Sequence, residues 1–398
     1  MPDPSRVLRV RLAAPDADEV LFEAVTAPDA ADTPAVRHVT SCTLADLGLA
    51  AGQPAEFGEM RPDAVDVAAI AAALRAGPLA PVWLDLPSPR GLLHLVPWEA
   101  VLLPLYRPVW RLCRTAPYPR PDAASLTVAV CAGDWPEGPR GLPRQPTNAW
   151  SLAAGRIAEV RVFFDAPPPR EREVDLTDPW LLGVRDALDG TALDVLHLVA
   201  PGVFTGGHGG VAAPASATPG ATAHVVDAAE ISAFLGQTGA WCLVLTGSSR
   251  TGSMAALRDV ADAVASARPC VVVAHDADEP YGPPGDLLPA HILFPLLPEA
   301  YSGRRVLPPS AAVACWTAPS APRGPVAPLA ARTNAVLSRR RAPGWVASYL
   351  RDMEARSTEL RPGGDDSTAD PDVAAAQRHL AARLDELVDR YVAPLPGE

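Results

Sequence analysis

Short, largely apolar runs punctuate the middle of the chain: Leu126–Cys131, Ile157–Phe164, Val195–Val199, Cys242–Leu245 and Cys270–Ala274. Largely apolar runs of four to eight residues suit strands buried on both faces, as in a parallel sheet. Between them the spacing turns helical. Asp178-Pro-Trp-Leu-Leu places an N-cap Asp before a first-turn Pro, and Gly190 closes that segment. Asp227 followed by Glu230 resembles a capping box, with Ile231, Phe234 and Leu235 on one face. Met254, Leu257, Val260 and Val264 mark another helix. Such strand–helix alternation predicts an α/β sandwich with right-handed crossovers.

The two ends read differently. Val7–Leu12 nearly alternates apolar and basic residues, and Val20–Val25 follows after an Ala-Pro-Asp turn, which predicts an N-terminal β-hairpin. Val65–Leu74 has helical spacing at Val67, Ile70 and Leu74, and Val82–Leu86 reads as a short strand. Past about residue 335, Trp345, Val346, Tyr349, Leu350 and Met353 share a helical face. A polar loop over 361–369 separates them from a last helix opening at Asp370-Pro371, striped by Val373, Leu380, Leu384, Leu387 and Tyr391. The expected organisation is a strand/helix subdomain over 1–80, a core over 81–335 and amphipathic helices over 336–398. Those helices either fold back on the core or dock a partner, and the pattern leaves both open.

Composition narrows the function classes. With 398 residues, 48% of them apolar, the chain can bury one large or two medium cores. No run of twenty residues is apolar, and Met1-Pro-Asp-Pro-Ser-Arg lacks a basic and apolar leader, so a cytoplasmic protein with no membrane partner is expected. The six cysteines stand singly, against both a zinc site and a disulfide framework. All 34 basic residues are arginine. Without lysine a P-loop, a protein-kinase strand Lys and a pyridoxal Schiff base are excluded. A net charge of −12 with no basic tract gives nucleic acid no electrostatic footing.

Two segments place candidate chemistry at strand ends. Asp194-Val-Leu-His-Leu-Val-Ala-Pro-Gly202 runs from an apolar strand into a loop, and Trp241-Cys-Leu-Val-Leu-Thr-Gly-Ser248 opens into a turn of small residues. Upstream lies Gly91-Leu-Leu-His-Leu-Val-Pro-Trp-Glu-Ala-Val-Leu-Leu-Pro104, and downstream lie Arg268-Pro-Cys-Val-Val-Val-Ala274 and 294–303. In order and spacing these segments, over roughly residues 80–320, resemble the CHAT family of caspase-like cysteine proteases. The resemblance implies a caspase-like three-layer sandwich with a mainly parallel sheet, carrying a catalytic His at the end of the first strand and a nucleophilic Cys at the end of the second. Here those positions read Pro201 and Ser248. Proline has nothing to titrate, and a serine without a base is a weak nucleophile. No catalytic residue is therefore expected. His197, inside its apolar strand, reads as a buried core histidine, and His208 sits in the glycine loop Gly206–Gly210; these two are the reserve bases.

What the resemblance implies is a pseudoprotease, acting as a scaffold or regulatory subunit in a bacterial conflict (anti-phage) or signalling complex. Its partner would be a protein, either an active protease or a peptide segment, with no cofactor and no metal. The expected binding cleft is formed by Gly202, Thr246, Gly247, Ser249, Arg250, His275, Asp276 and Asp278, with the carboxylates of the 275–279 loop exposed to a basic peptide. Two alternatives accompany this reading. Ser248 could serve an active hydrolase. Alternatively, Gly247-Ser-Ser-Arg-Thr-Gly-Ser253 resembles the phosphate loop of flavodoxin-like, NADPH-dependent FMN reductases, in which small residues at a helix N-terminus make an anion nest.

Overall fold

Strand formation follows the apolar runs. In chain order the strands are β1 (Val7–Leu12), β2 (Glu19–Thr26), β3 (Ala35–Thr43), β4 (Val82–Asp85), β5 (Val109–Leu112), β6 (Leu126–Ala132), β7 (Ile157–Phe164), β8 (Val195–Val199), β9 (Gly202–Thr205), β10 (His208–Ala213), β11 (His224–Val226), β12 (Cys242–Gly247), β13 (Val271–Asp276) and β14 (Val313–Thr317). Among the described residues the α-helices with given bounds are α1 (Val67–Leu74), α2 (Trp98–Val101), α3 (Ala228–Thr238) and α4 (Met254–Ala267). This computed structural model describes residues 7–14, 17–26, 35–49, 62–74, 81–87, 91–113, 126–132, 157–164, 192–213, 224–268, 270–278 and 309–317, with 181, 184, 185, 188 and 190 between them. Met1–Ala330 forms one compact unit and Ala331–Glu398 another. The helices expected over 336–398 lie outside the described residues, as do 294–303 and Glu279.

The fold is α/β, built on an eleven-stranded sheet in the order β3-β2-β1-β4-β5-β14-β13-β12-β8-β6-β7. Seven of its ten neighbouring pairs are parallel. The exceptions are the N-terminal strands β1-β2-β3, which include the expected hairpin, and the pair β13–β14. That last pair is a seam. Strands β1, β4, β5 and β14 run one way, and β13, β12, β8, β6 and β7 run the other. The first eighty residues are not separate from the core sheet, since β1 pairs with β4.

Every residue of β8 and β12 is buried, as continuous apolar runs require. Leu196, Leu198, Leu243, Leu245, Val272 and Ala274 share one cluster with helices α3 and α4. Asp227 caps α3 by accepting the Glu230 N–H at 2.8 Å, and Ser253 caps α4 by accepting the Ala256 N–H at 3.2 Å. Leu181, Val184 and Leu188, from the helix expected after Asp178, are helical and join the same cluster. A second cluster gathers Leu8, Val10, Phe22, Ile70, Leu74, Leu84 and Trp98 around α1 and α2. Phe22 meets Trp98 edge-on at 5.9 Å between ring centroids.

One buried arginine connects the clusters. Arg111 of β5 gives bonds of 2.8 Å from Nε and a terminal nitrogen to the two carboxylate oxygens of Glu99 in α2. It also donates to the carbonyls of His94 and Val96. Its guanidinium stacks 4.5 Å from the Trp316 ring centroid, and the Trp316 indole N–H reaches Asp262 of α4 at 3.2 Å. The segment Pro97-Trp98-Glu99 is thus a structural clamp on α4's side of the sheet.

Strands β9, β10 and β11 form a separate antiparallel sheet. The glycine-rich stretch expected to be a flexible loop is a hairpin, with His208 as the first residue of β10. Glycine makes this possible by close approach. A Cβ on Gly202 would strike the Ser253 carbonyl oxygen, and one on Gly209 would strike that of Ala256, so β9 and β10 lie directly on the first turns of α4.

Candidate functional site

Strands β8 and β12 are parallel neighbours, with Thr246 opposite Val199. Pro201 and Ser248 therefore leave the same end of adjacent strands. Three loops converge there. Ala200 N–H bonds the Thr246 carbonyl at 3.0 Å, Ser253 N–H bonds the Gly202 carbonyl at 2.7 Å, and Ala277 N–H bonds the Gly247 carbonyl at 2.9 Å. A Cβ on Gly252 would stand 2.9 Å from Pro201 Cβ, so the two turns are in close contact. This is the carboxyl end of the parallel strands, where open α/β sheets place a ligand crevice.

Ser248 is 1% exposed. Its Oγ donates to Asp278 Oδ2 and accepts the Arg250 N–H at 3.2 Å. Burial pushes the Asp278 carboxyl upward, but bonds from Ser248 and the Arg250 N–H, with the Arg250 charge, outweigh it and hold the group below its ordinary value. A carboxylate held below its normal range is a poor proton acceptor near neutral pH. Ser248 is thus placed as a structural hydroxyl that ties two turns together.

The reserve bases lie elsewhere. His197 is 2% exposed and bonds Thr246 Oγ1 at 2.8 Å. Desolvation, with the nearby His275, lowers its pKa to about 3, so it stays neutral. Thr246 Oγ1 also lies 3.5 Å from His275 Nδ1, which makes a polar row across β8, β12 and β13. His208 is exposed at the hairpin tip. Neither His197 nor His208 bonds the Ser248 hydroxyl.

The expected cleft residues do come together, but not as an acidic, solvent-facing surface. Asp276 Oδ1 accepts the N–H groups of Ser249 at 3.2 Å and Asp278 at 3.0 Å. Asp278 accepts the Arg250 N–H at 2.9 Å, and its side chain is 8% exposed. The two carboxylates expected to attract a basic peptide are engaged by the protein's own turns. The outward charge is Arg250, whose side chain is 77% exposed with Nε 3.9 Å from Asp278 Oδ1. Gly202 and Gly247 are buried against α4, and a Cβ on either would meet Leu257.

The same bonds bear on the anion-nest alternative. From Ser249 to Ser253 each amide already has a partner: Asp276, Asp278, the Ser248 carbonyl for both Thr251 and Gly252, and the Gly202 carbonyl. A phosphate would have to displace two carboxylates from this turn, and like charges oppose it. Among the described residues no three of His, Cys, Asp or Glu gather to hold a metal ion. No described helix is long and apolar enough to cross a membrane. Sequence reasoning missed Asp259, which lies on α4 and holds the hairpin; its partners are distant in sequence, so no local signal marks it. Compared with known proteins, the chain matches no family model and no curated protein.

Proposed function

We propose that the chain is a catalytically inactive, CHAT-like protein of caspase-like fold that serves as a scaffold or regulatory subunit for a protein partner. The reading is supported by the order of the two strand ends, β8 into Pro201 beside β12 into Ser248. The observation that carries it is the state of Ser248: buried, its hydroxyl donating a hydrogen bond to an ionised carboxylate, with no imidazole on its oxygen. A hydrolase needs the reverse arrangement, an accessible hydroxyl beside a base that titrates near the working pH. A caspase-like three-layer sandwich, extended at one edge by β1, β2 and β3, is the fold this reading assigns.

The test combines two measurements. Incubated with a fluorophosphonate and with iodoacetamide, the native protein takes up no label at residue 248 and cleaves no peptide library. A label at Ser248 that Ser248→Ala abolishes overturns the pseudoenzyme reading. Co-expression with the products of adjacent genes yields a stoichiometric complex on size exclusion; elution of the chain alone from every such mixture overturns the scaffold role.

A further inference from the structure

The hairpin β9–β10 follows Pro201 at the strand ends and packs on α4, with Val211 buried in the cluster that holds Leu257 and Val260. Its turn residues Gly206 and Gly207 are exposed, and its seat on α4 is backbone against backbone at Gly202 and Gly209. Glycines contribute no side-chain burial, so toward the hairpin tip, beyond Val211, the seat depends on backbone groups. Gly209 poses a further problem. The Ala212 N–H bonds the Pro201 carbonyl, so residues 208, 210 and 212 face β9 and the Gly209 N–H faces the other edge. Strand β11 would pair there, but it ends at Val226, opposite Val211. The buried Gly209 amide would be left without a strand partner.

Asp259 of α4 supplies what β11 does not. Its Oδ2 accepts the Gly209 N–H at 2.6 Å, and its Oδ1 meets His94 Nε2 at 2.7 Å. The other ring nitrogen of His94 lies 3.1 Å from the Gly91 carbonyl, so both nitrogens are aimed at acceptors. The backbone on either side of that imidazole is fixed in turn. Arg111 donates to the His94 and Val96 carbonyls, and Arg258 donates from Nε to the Leu95 carbonyl at 2.6 Å. Both ring nitrogens of His94 are engaged by the chain's own groups, and its role is to orient.

We propose that His94 and Asp259 form a latch that couples the Gly91–Glu99 segment to hairpin β9–β10, fixing it on α4 through the Gly209 amide. Displacing the segment releases the hairpin; docking a partner against the hairpin is transmitted back to the segment. This goes beyond the proposed function and stands on these contacts whether or not the chain is a pseudoprotease. His94 and Asp259 are positioning residues.

Residue-resolved amide exchange on the full chain tests it. Asp259→Ala raises exchange at Gly209 and through residues 202–213 by roughly tenfold or more, the size expected for losing a charge-assisted hydrogen bond. His94→Phe, which keeps the bulk and removes the ring nitrogens, gives a similar rise, and the double variant adds little. His94→Gln keeps a donor and restores much of the protection. Strands β12 and β13 keep their wild-type rates in all four variants. Unchanged exchange at Gly209 in His94→Phe overturns the latch, and so does a rise spread evenly over the whole sheet. Should the variants fail to fold, the wild-type protein decides. The Gly209 amide resonance follows an acid titration below the ordinary carboxylate range if Asp259 holds it, and a resonance indifferent to pH overturns the proposal.

Discussion

Glu99 and Arg111 hold each other through two parallel hydrogen bonds of 2.8 Å, with each side chain 2% exposed. A buried pair of this kind is costly to break from one side, because the remaining charge is left in a dry environment. Glu99→Ala or Arg111→Ala is expected to lose about 3–5 kcal/mol of stability in urea unfolding. Replacing both with apolar residues of similar volume should lose much less, and the gap between that figure and the sum of the singles measures the coupling.

Ser248→Ala removes the hydroxyl from Asp278 and should cost about 1–3 kcal/mol. The loss depends on pH in a defined direction. The Asp278 carboxyl is held below its unfolded value, so its contribution is present above the ordinary carboxylate range and is lost as pH falls through the lower, folded value. In Ser248→Ala the folded value moves back toward the unfolded one, so the acid loss is smaller and is complete at a higher pH. Urea midpoints measured on both proteins across the acid range show whether the two curves, separate at neutral pH, draw together below the ordinary carboxylate value.

His197 titrates with the same sign for a different reason. Burial lowers its pKa from 6.5 to about 3, so the unfolded chain binds a proton that the folded one refuses. Its contribution is complete above 6.5 and is drained as the pH drops from there toward 3. His197→Gln should flatten the stability profile over that window. A native imidazole resonance that moves near pH 6 would contradict the burial.

Gly202→Ala places a methyl group against the Ser253 carbonyl and the Leu257 side chain. Overpacking of this kind typically costs about 1–3 kcal/mol. Because the backbone oxygen cannot rotate away, the hairpin must lift. Thermal unfolding should show the lower melting temperature, with Gly206→Ala as a control: it meets no atom within 4 Å, though its φ of 60° carries a strain of its own.

Much of the central sheet was legible because it obeys one rule at a time. Val195–Val199 and Cys242–Leu245 are largely apolar runs, and Asp227 is a capping residue followed by an amphipathic helix. Strand β5 escaped notice because Arg111 sits among its four residues, and only the distant Glu99 makes an inward arginine tolerable. Strands β9 and β10 escaped because glycine carries no apolar signal, and their seat on α4 depends on what is absent from the side chain. At the site, β8 and β12 are parallel neighbours, so Pro201 and Ser248 leave the same end of the sheet. Asp276 and Asp278 read as solvated charges because the Ser249 and Arg250 amides they accept lie across α4 and β13, 27 and 28 residues away.

The antiparallel pair β13–β14 has a consequence for synthesis. Strand β5 ends at Leu112, pairs with β4 on one side and finds its second neighbour only in β14, whose last residue is Thr317. While the chain emerges from the ribosome, the first-made strands and the later β6, β8, β12 and β13 can each assemble with nothing between them. The two halves become one sheet only when Val313–Thr317 slots into place, bringing Trp316 beneath the guanidinium of Arg111. That single strand is the keystone of the architecture, and a chain truncated before it would expose two bare sheet edges, each a template for aggregation.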